Sequence, residues 1–170
     1  KAGVANGYHV GAGTCFLDIE GDGDLDLYVA RYVNFTYENH RVARFNGHPA
    51  YVGPMDYQPT TDTLYKNNGD GTFTDISVES GVASRKGTGM GMVCCDADKD
   101  GDTDIFVGND VSANFFWVND GKGKFEEMGL VTGVAYDIGG TAQATMGVDC
   151  ADLDNDGWLD FYMTSYQQET

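Results

Sequence analysis

Positive charge is scarce. Ten lysines and arginines face 27 aspartates and glutamates in 170 residues, for a formal net charge of -17. A surface this acidic repels phosphate backbones and anionic lipid, which excludes nucleic acid and membrane surfaces as partners. No run approaches the roughly 18 apolar residues of a membrane span, and no signal peptide is visible at Lys1, as expected of a processed or excised chain. Proline occurs three times and histidine three times. His9, His40 and His48 share no ligand spacing. The four cysteines include no Cys-x-x-Cys pair, which argues against zinc. No serine or cysteine sits in a nucleophile motif, so enzyme chemistry has no positive support. No helical period stands out either, and helix has no obvious place.

Glycine is abundant, with 24 residues, and the acids fall in clusters flanked by β-branched and aromatic residues. Disordered acidic tails lack such flanks. Three clusters align: Asp18-Ile-Glu-Gly-Asp-Gly-Asp-Leu-Asp26, Asp96-Ala-Asp-Lys-Asp-Gly-Asp-Thr-Asp104 and Asp152-Leu-Asp-Asn-Asp-Gly-Trp-Leu-Asp160. Between them recur Asn67-Asn-Gly-Asp-Gly-Thr-Phe73 and Asn119-Asp-Gly-Lys-Gly-Lys-Phe125, and a Gly-Val pair at Gly3, Gly81 and Gly133. Gly3 to Asp18 and Gly81 to Asp96 each span 15 positions, Asn67 to Gly81 and Asn119 to Gly133 each 14, and Asp96 to Asn119 spans 23. The unit is therefore 52 residues. From Asp18 to Asn67 the distance is 49, so the first unit carries 26 extra residues, within Asn34 to Thr61. The third carries four extra, around Tyr136 to Gly140.

A period near 50 residues is that of a four-stranded propeller blade. Gly13–Leu17 leads into the first acidic loop and Leu25–Val29 leads out of it. Ile105–Val107 and Leu159–Met163 repeat the exit strand, Thr63–Tyr65 and Phe115–Val118 form a third, and Phe73–Ile76 and Lys124–Glu127 a fourth. Asn68-Gly69 and Asp120-Gly121 turn the chain between the last two. The expected fold is all-β: four-stranded antiparallel blades, about two and a half of a larger propeller. Residues 1–80 form blade one, 81–132 blade two and 133–170 the opening hairpin of blade three.

Carboxylates at positions 1, 3 and 5 of a tight loop converge on one point, glycine at position 6 permits the turn, position 7 offers its carbonyl and position 9 closes the shell. Calcium takes six to eight such oxygens. The expected ligands are Asp18, Glu20, Asp22, the carbonyl of Asp24, and Asp26. The second set is Asp96, Asp98, Asp100, the carbonyl of Asp102, and Asp104; the third is Asp152, Asp154, Asp156, the carbonyl of Trp158, and Asp160. An EF-hand needs Glu at position 12, where Val29, Val107 and Met163 stand instead. Three calcium ions are expected.

These loops resemble the FG-GAP/VCBS repeats of integrin-α-like propellers. The runs Asp62-Thr-Leu-Tyr-Lys-Asn-Asn-Gly-Asp-Gly-Thr-Phe-Thr-Asp75 and Thr145-Met-Gly-Val-Asp149 narrow the resemblance to ASPIC/UnbV-associated bacterial proteins and cartilage acidic protein. The resemblance implies a secreted or cell-surface propeller with structural calcium, used for adhesion or partner binding. It also implies a cysteine pair bracketing the inserted segment, near positions held here by Ala43 and Val52, which this chain lacks.

Cys15, Cys94, Cys95 and Cys150 lie one to three residues before a loop, and read as small buried thiols near the propeller axis. A vicinal Cys94–Cys95 disulfide is the alternative, although adjacent α-carbons stand about 3.8 Å apart, below the disulfide range. Asn34-Phe35-Thr36 is a glycosylation sequon. The insertion gathers Phe35, Tyr37, Phe45, Tyr51 and Tyr57 with Arg41 and Arg44, either a binding surface or a loop folded over its own blade. The leading expectation is an extracellular, calcium-stabilised binding, adhesion or assembly module with a protein or glycan ligand. Its open edge would be covered by further blades or by neighbouring copies in a ring or filament. The alternative is the propeller domain of a secreted, lyase-like polysaccharide enzyme.

Overall fold

A computed structural model describes residues 1–166 of the chain; positions 167–170 of the expected third unit lie outside the described residues. The strands are β1 (Gly11–Leu17), β2 (Asp26–Arg31), β3 (Val42–Phe45), β4 (His48–Tyr51), β5 (Thr63–Asn67), β6 (Phe73–Asp75), β7 (Gly89–Cys95), β8 (Asp104–Asn109), β9 (Phe115–Asn119), β10 (Phe125–Glu127), β11 (Thr145–Ala151) and β12 (Asp160–Ser165). They form two four-stranded antiparallel sheets, β1-β2-β5-β6 and β7-β8-β9-β10, and two hairpins, β11-β12 and β3-β4. The four-stranded sheets are propeller-type blades. The inner strand of each repeat breaks register at the same place, between Gly11 and Thr14, Gly89 and Gly91, and Thr145 and Gly147.

The centre of a blade is covered on both faces, and the sequence shows it. All six residues of β8 are buried. Ile105, Val107, Phe115 and Trp117 pack with Leu17, Tyr28 and Leu64 of the first blade. Phe106 and Phe116 turn the other way and meet Phe161 of β12, Phe106 stacked at 4.7 Å and Phe116 edge-on at 5.9 Å. Side chains alternate between faces along a strand, so one apolar run serves two interfaces.

Helix does have a place, contrary to the expectation from sequence. Single turns α1 (Ser77–Ser80) and α2 (Gly129–Thr132) follow the outer strands. They are too short to show a helical period, and each ends on a glycine of the Gly-Val pair in the left-handed region, Gly81 at φ 97° and Gly133 at φ 84°. Those glycines also pass against the next outer strand. A Cβ on Gly3 would stand 2.6 Å from the carbonyl oxygen of Phe73, and one on Gly81 2.7 Å from that of Phe125, whereas nothing lies within 4 Å at Gly133.

The insertion holds a feature the sequence reading passed over. Asn46 (φ 51°) and Gly47 (φ 81°) close the β3-β4 hairpin, the Asn-Gly turn whose twist suits a two-residue connection. Ala43 pairs with Ala50 across it and Val52 follows its last strand.

Candidate metal centre and a second surface

Each acidic loop joins the two innermost strands of a repeat: β1 to β2, β7 to β8, β11 to β12. Two left-handed residues fold it, at positions 4 and 6: Gly21 and Gly23, Lys99 and Gly101, Asn155 and Gly157, with φ between 61° and 97°. These turns aim backbone N–H groups inward at the carboxylates. Asp18 accepts from Gly21 at 2.8 Å and Gly23 at 2.9 Å, and these bonds hold its carboxyl below its usual range. Asp96 accepts from Gly101 at 3.2 Å, and Asp152 from Gly157 at 2.9 Å. The position-5 carboxylates of Asp22, Asp100 and Asp156 each accept the N–H two residues on, at 2.8 to 2.9 Å.

The outcome differs between loops. Ligand oxygens of Asp96, Asp98 and Asp100 lie within 4.8 Å of one another, as do those of Asp152, Asp154 and Asp156, and either cluster could hold a metal ion. The second loop is crowded with negative charge. The carboxyl of Asp102 is pushed up, first by desolvation and then by Asp100, Asp96, Asp120 and Asp98. A cation fits that surplus. In the first loop Asp18, Glu20 and Asp22 are not drawn together in this way. Glu20 instead ion-pairs with the ammonium of Lys66 on β5, which raises the lysine's own affinity for its proton. The residues there do not fit a metal as those of the other two loops do.

Position 9, expected to close the shell, is first of all a brace. Asp26 accepts from Ile19 N–H at 3.1 Å and Asn67 N–H at 2.7 Å. Asp104 does the same with Ala97 at 3.2 Å and Asn119 at 3.0 Å. It thereby ties its loop to the third strand. Burial pushes the Asp104 carboxyl up to about 6 and raises that of Asp26. Asp160 is exposed and accepts from Leu153 at 3.0 Å. Position 7 places the Asp102 carboxylate against Gly121 and Asp24 against Gly69, whose glycines leave room for them. Neighbouring loops touch: Asn119 Nδ2 donates to the Ile19 carbonyl at 3.0 Å, and Lys99 Nζ sits 3.9 Å above the Trp158 ring. No sequence spacing signalled those contacts.

The insertion makes a second surface. Phe35 packs edge-on against Tyr57 at 5.6 Å, His40 at 5.9 Å and Tyr37 at 6.3 Å. A cavity of about 300 Å³ opens there between Val10, Tyr32, His40, Tyr51 and Tyr57. Tyr37, Phe45 and Tyr51 are exposed. Arg44 is used within the hairpin, donating to the Gly47 carbonyl at 2.9 Å. His40, which had no partner on sequence spacing, joins the cluster. Among the described residues no helix is long and apolar enough to cross a membrane.

Comparison with known proteins agrees with this architecture. The chain is 26% identical over 146 residues to cartilage acidic protein 1 of Xenopus tropicalis, an alignment covering 64% of this chain. It spans 22% of that relative's length. The family model for FG-GAP-like repeats matches residues 18–107 and again 96–163, so that both matches begin on the first aspartate of an acidic loop and together take in all three. The chain belongs to the FG-GAP-like repeat family.

Proposed function

We propose that this chain is a calcium-stabilised binding or adhesion module that works outside the cell as part of a larger propeller, and that it binds rather than catalyses. The observation that carries this is the gathering of three carboxylates at positions 1, 3 and 5 in two successive loops. Oxygen-only donors in such number suit calcium, while magnesium keeps most of its waters and needs few carboxylates. The bound ions would be structural. Each would hold the turn between the two inner strands of a blade, with Asp98 and Asp100, or Asp154 and Asp156, supplying charge to it. In the first loop the Lys66 ammonium takes the cation's place, so two ions are expected at these sites rather than three.

Equivalent positions in successive repeats support the larger propeller. Tyr28 and Phe106 are fully buried, each by the blade that follows, and Tyr162 at the same position is 65% exposed. Ile19 is buried and its counterpart Leu153 is 64% exposed. Further repeats would cover that face and the open space at Gly133. A relative named for cartilage supports an extracellular setting, and the aromatic cluster of the insertion is the surface we assign to a protein or glycan ligand.

Calcium titration followed by native mass spectrometry tests the metal. Two ions should bind. At ten times its dissociation constant each contributes about 1.4 kcal/mol, so excess chelator should cost about 3 kcal/mol of stability. Asp98→Ala should lower the count to one. An unchanged melting temperature in chelator, with no ions bound, would refute the proposal.

A further inference from the structure

Four cysteines take no part in the loops, yet the fold arranges them in order. The inner strands β1, β7 and β11 run side by side at close range. A Cβ on Gly13 would stand 2.8 Å from the Met90 carbonyl oxygen, and one on Gly91 2.6 Å from that of Met146. The pleat then decides which way each thiol faces. Leu17, one residue before its loop, faces the following blade and is buried in the core shared by the first two. Cys15, two residues earlier, has the same parity and faces the same way. Cys94 stands two residues before its loop, has the opposite parity, and packs against that same core from the second blade. Cys95 faces forward like Leu17, and Cys150 backward like Cys94. The neighbours follow: the Cys15 side chain lies against that of Cys94, and the Cys95 side chain against that of Cys150.

We propose that Cys15–Cys94 and Cys95–Cys150 are two disulfide sites that staple three successive blades along their inner strands. A small-molecule disulfide of the oxidised glutathione type is the oxidant. The Cys15 thiolate attacks one sulfur of that disulfide, whose S–S bond breaks and expels one thiolate. Cys94 gives its proton to solvent and attacks the Cys15 sulfur of the mixed disulfide, expelling the second. Two protein thiols are thereby oxidised and one disulfide is reduced to two thiols. The Cys94 contact holds the Cys15 thiol down at about 7, so that the attacking form exists at neutral pH. The second pair closes by the same two exchanges, its side chains facing one another between β7 and β11. All four thiols are only half buried, free in the unoxidised chain and within reach of the reagent. A vicinal Cys94–Cys95 bond is disfavoured because the two side chains leave β7 on opposite faces.

The test is thiol counting and peptide mapping of the folded protein, with and without oxidised glutathione. Free thiols should fall from four to none, with the loss of two hydrogens per bond and no retained glutathione. In Cys94→Ser, Cys95–Cys150 should remain linked, and Cys15, with no second thiol to expel glutathione, should end as a glutathione mixed disulfide. In Cys95→Ser, Cys15–Cys94 should remain linked, with Cys150 joined to no protein thiol and either free or carrying glutathione. A vicinal bond, crossed pairing in either variant, linkage between chains, persistent glutathione adducts on the unsubstituted protein, or four thiols surviving in it would each overturn the proposal. The chemistry is run in vitro, so its outcome is independent of whether the chain acts outside the cell.

Discussion

The first and second blades are built on one hydrogen-bond skeleton but differ in where they keep their charge. At position 9 of the acidic loop both use a buried aspartate, Asp26 or Asp104, to accept two backbone N–H groups. At position 3 the first has Glu20 and the second Asp98. On the third strand the first has Lys66 where the second has Val118. Before that strand the first has Asp62, accepting from the Arg31 N–H and the Tyr28 hydroxyl at 2.7 Å each. The second has Asn114, accepting from the equivalent N–H of Asn109 at 2.9 Å. What cannot be exchanged is the acceptor facing a buried backbone donor. What can be exchanged is the source of neutralising charge: a lysine in one blade, room for a cation in the other.

The largest effect should come from breaking the shared skeleton. Asp104→Ala strands the N–H groups of Ala97 and Asn119 in a buried site, at about 1–3 kcal/mol each, less the relief from no longer burying a carboxylate. A net loss of about 2–3 kcal/mol in chemical denaturation is expected, and Asp26→Ala should match it. Asp160→Ala, exposed and holding one loop donor, should cost less than about 1 kcal/mol. Equal losses at Asp104 and Asp160 would show that burial does not set the effect.

The skeleton explains which parts were legible in the sequence. The 52-residue spacing, the Asn-Gly and Asp-Gly turns and the apolar runs of β8 and β9 are local signals, and they placed the expected strands to within two residues at each end. The glycines at position 6 did so too, because only a left-handed turn lets carboxylates converge. The brace at position 9 was hidden: the donors to Asp26 are Ile19 and Asn67, the second 41 positions away. The Glu20–Lys66 pair was hidden for the same reason, since 46 positions separate its partners. The Asn46-Gly47 hairpin was legible and overlooked, masked by an insertion read for its aromatics.

Acidity offers the next break. Asp62 is fully buried, and desolvation raises its carboxyl to about 6 despite the bonds from Tyr28 and Arg31. A folded-state value above the unfolded one means that the protonated form favours folding. That contribution is complete below about pH 4 and is lost as pH rises through 6. Asp62→Asn copies the second blade and removes the titration. The stability of wild type minus Asp62→Asn should therefore fall by on the order of 2–3 kcal/mol from pH 4 to 7.5, half of it by about pH 5 and nearly all of it by about pH 6. A flat difference would mean that the carboxylate is already matched by its two donors.

The smallest effect gives the sharpest comparison. Glu20→Asp with Lys66→Val gives the first loop the second's residues at position 3 and on the third strand. The shorter side chain draws position 3 back towards Asp18 and Asp22, and loss of the ammonium leaves three carboxylates without a counter-charge. In chelator the double variant should be slightly less stable than wild type, because an ion pair with its lysine in solvent is worth about 1 kcal/mol and crowded carboxylates repel. With calcium at ten times its dissociation constant it should regain about 1.4 kcal/mol and bind one ion more than wild type in native mass spectrometry. The single variant Lys66→Val separates the two changes: if it alone gains the ion, the lysine was the only obstacle, and the extra methylene of Glu20 costs nothing. If the double variant gains none, the loops differ in something deeper than charge, and the lysine is not a substitute for the metal.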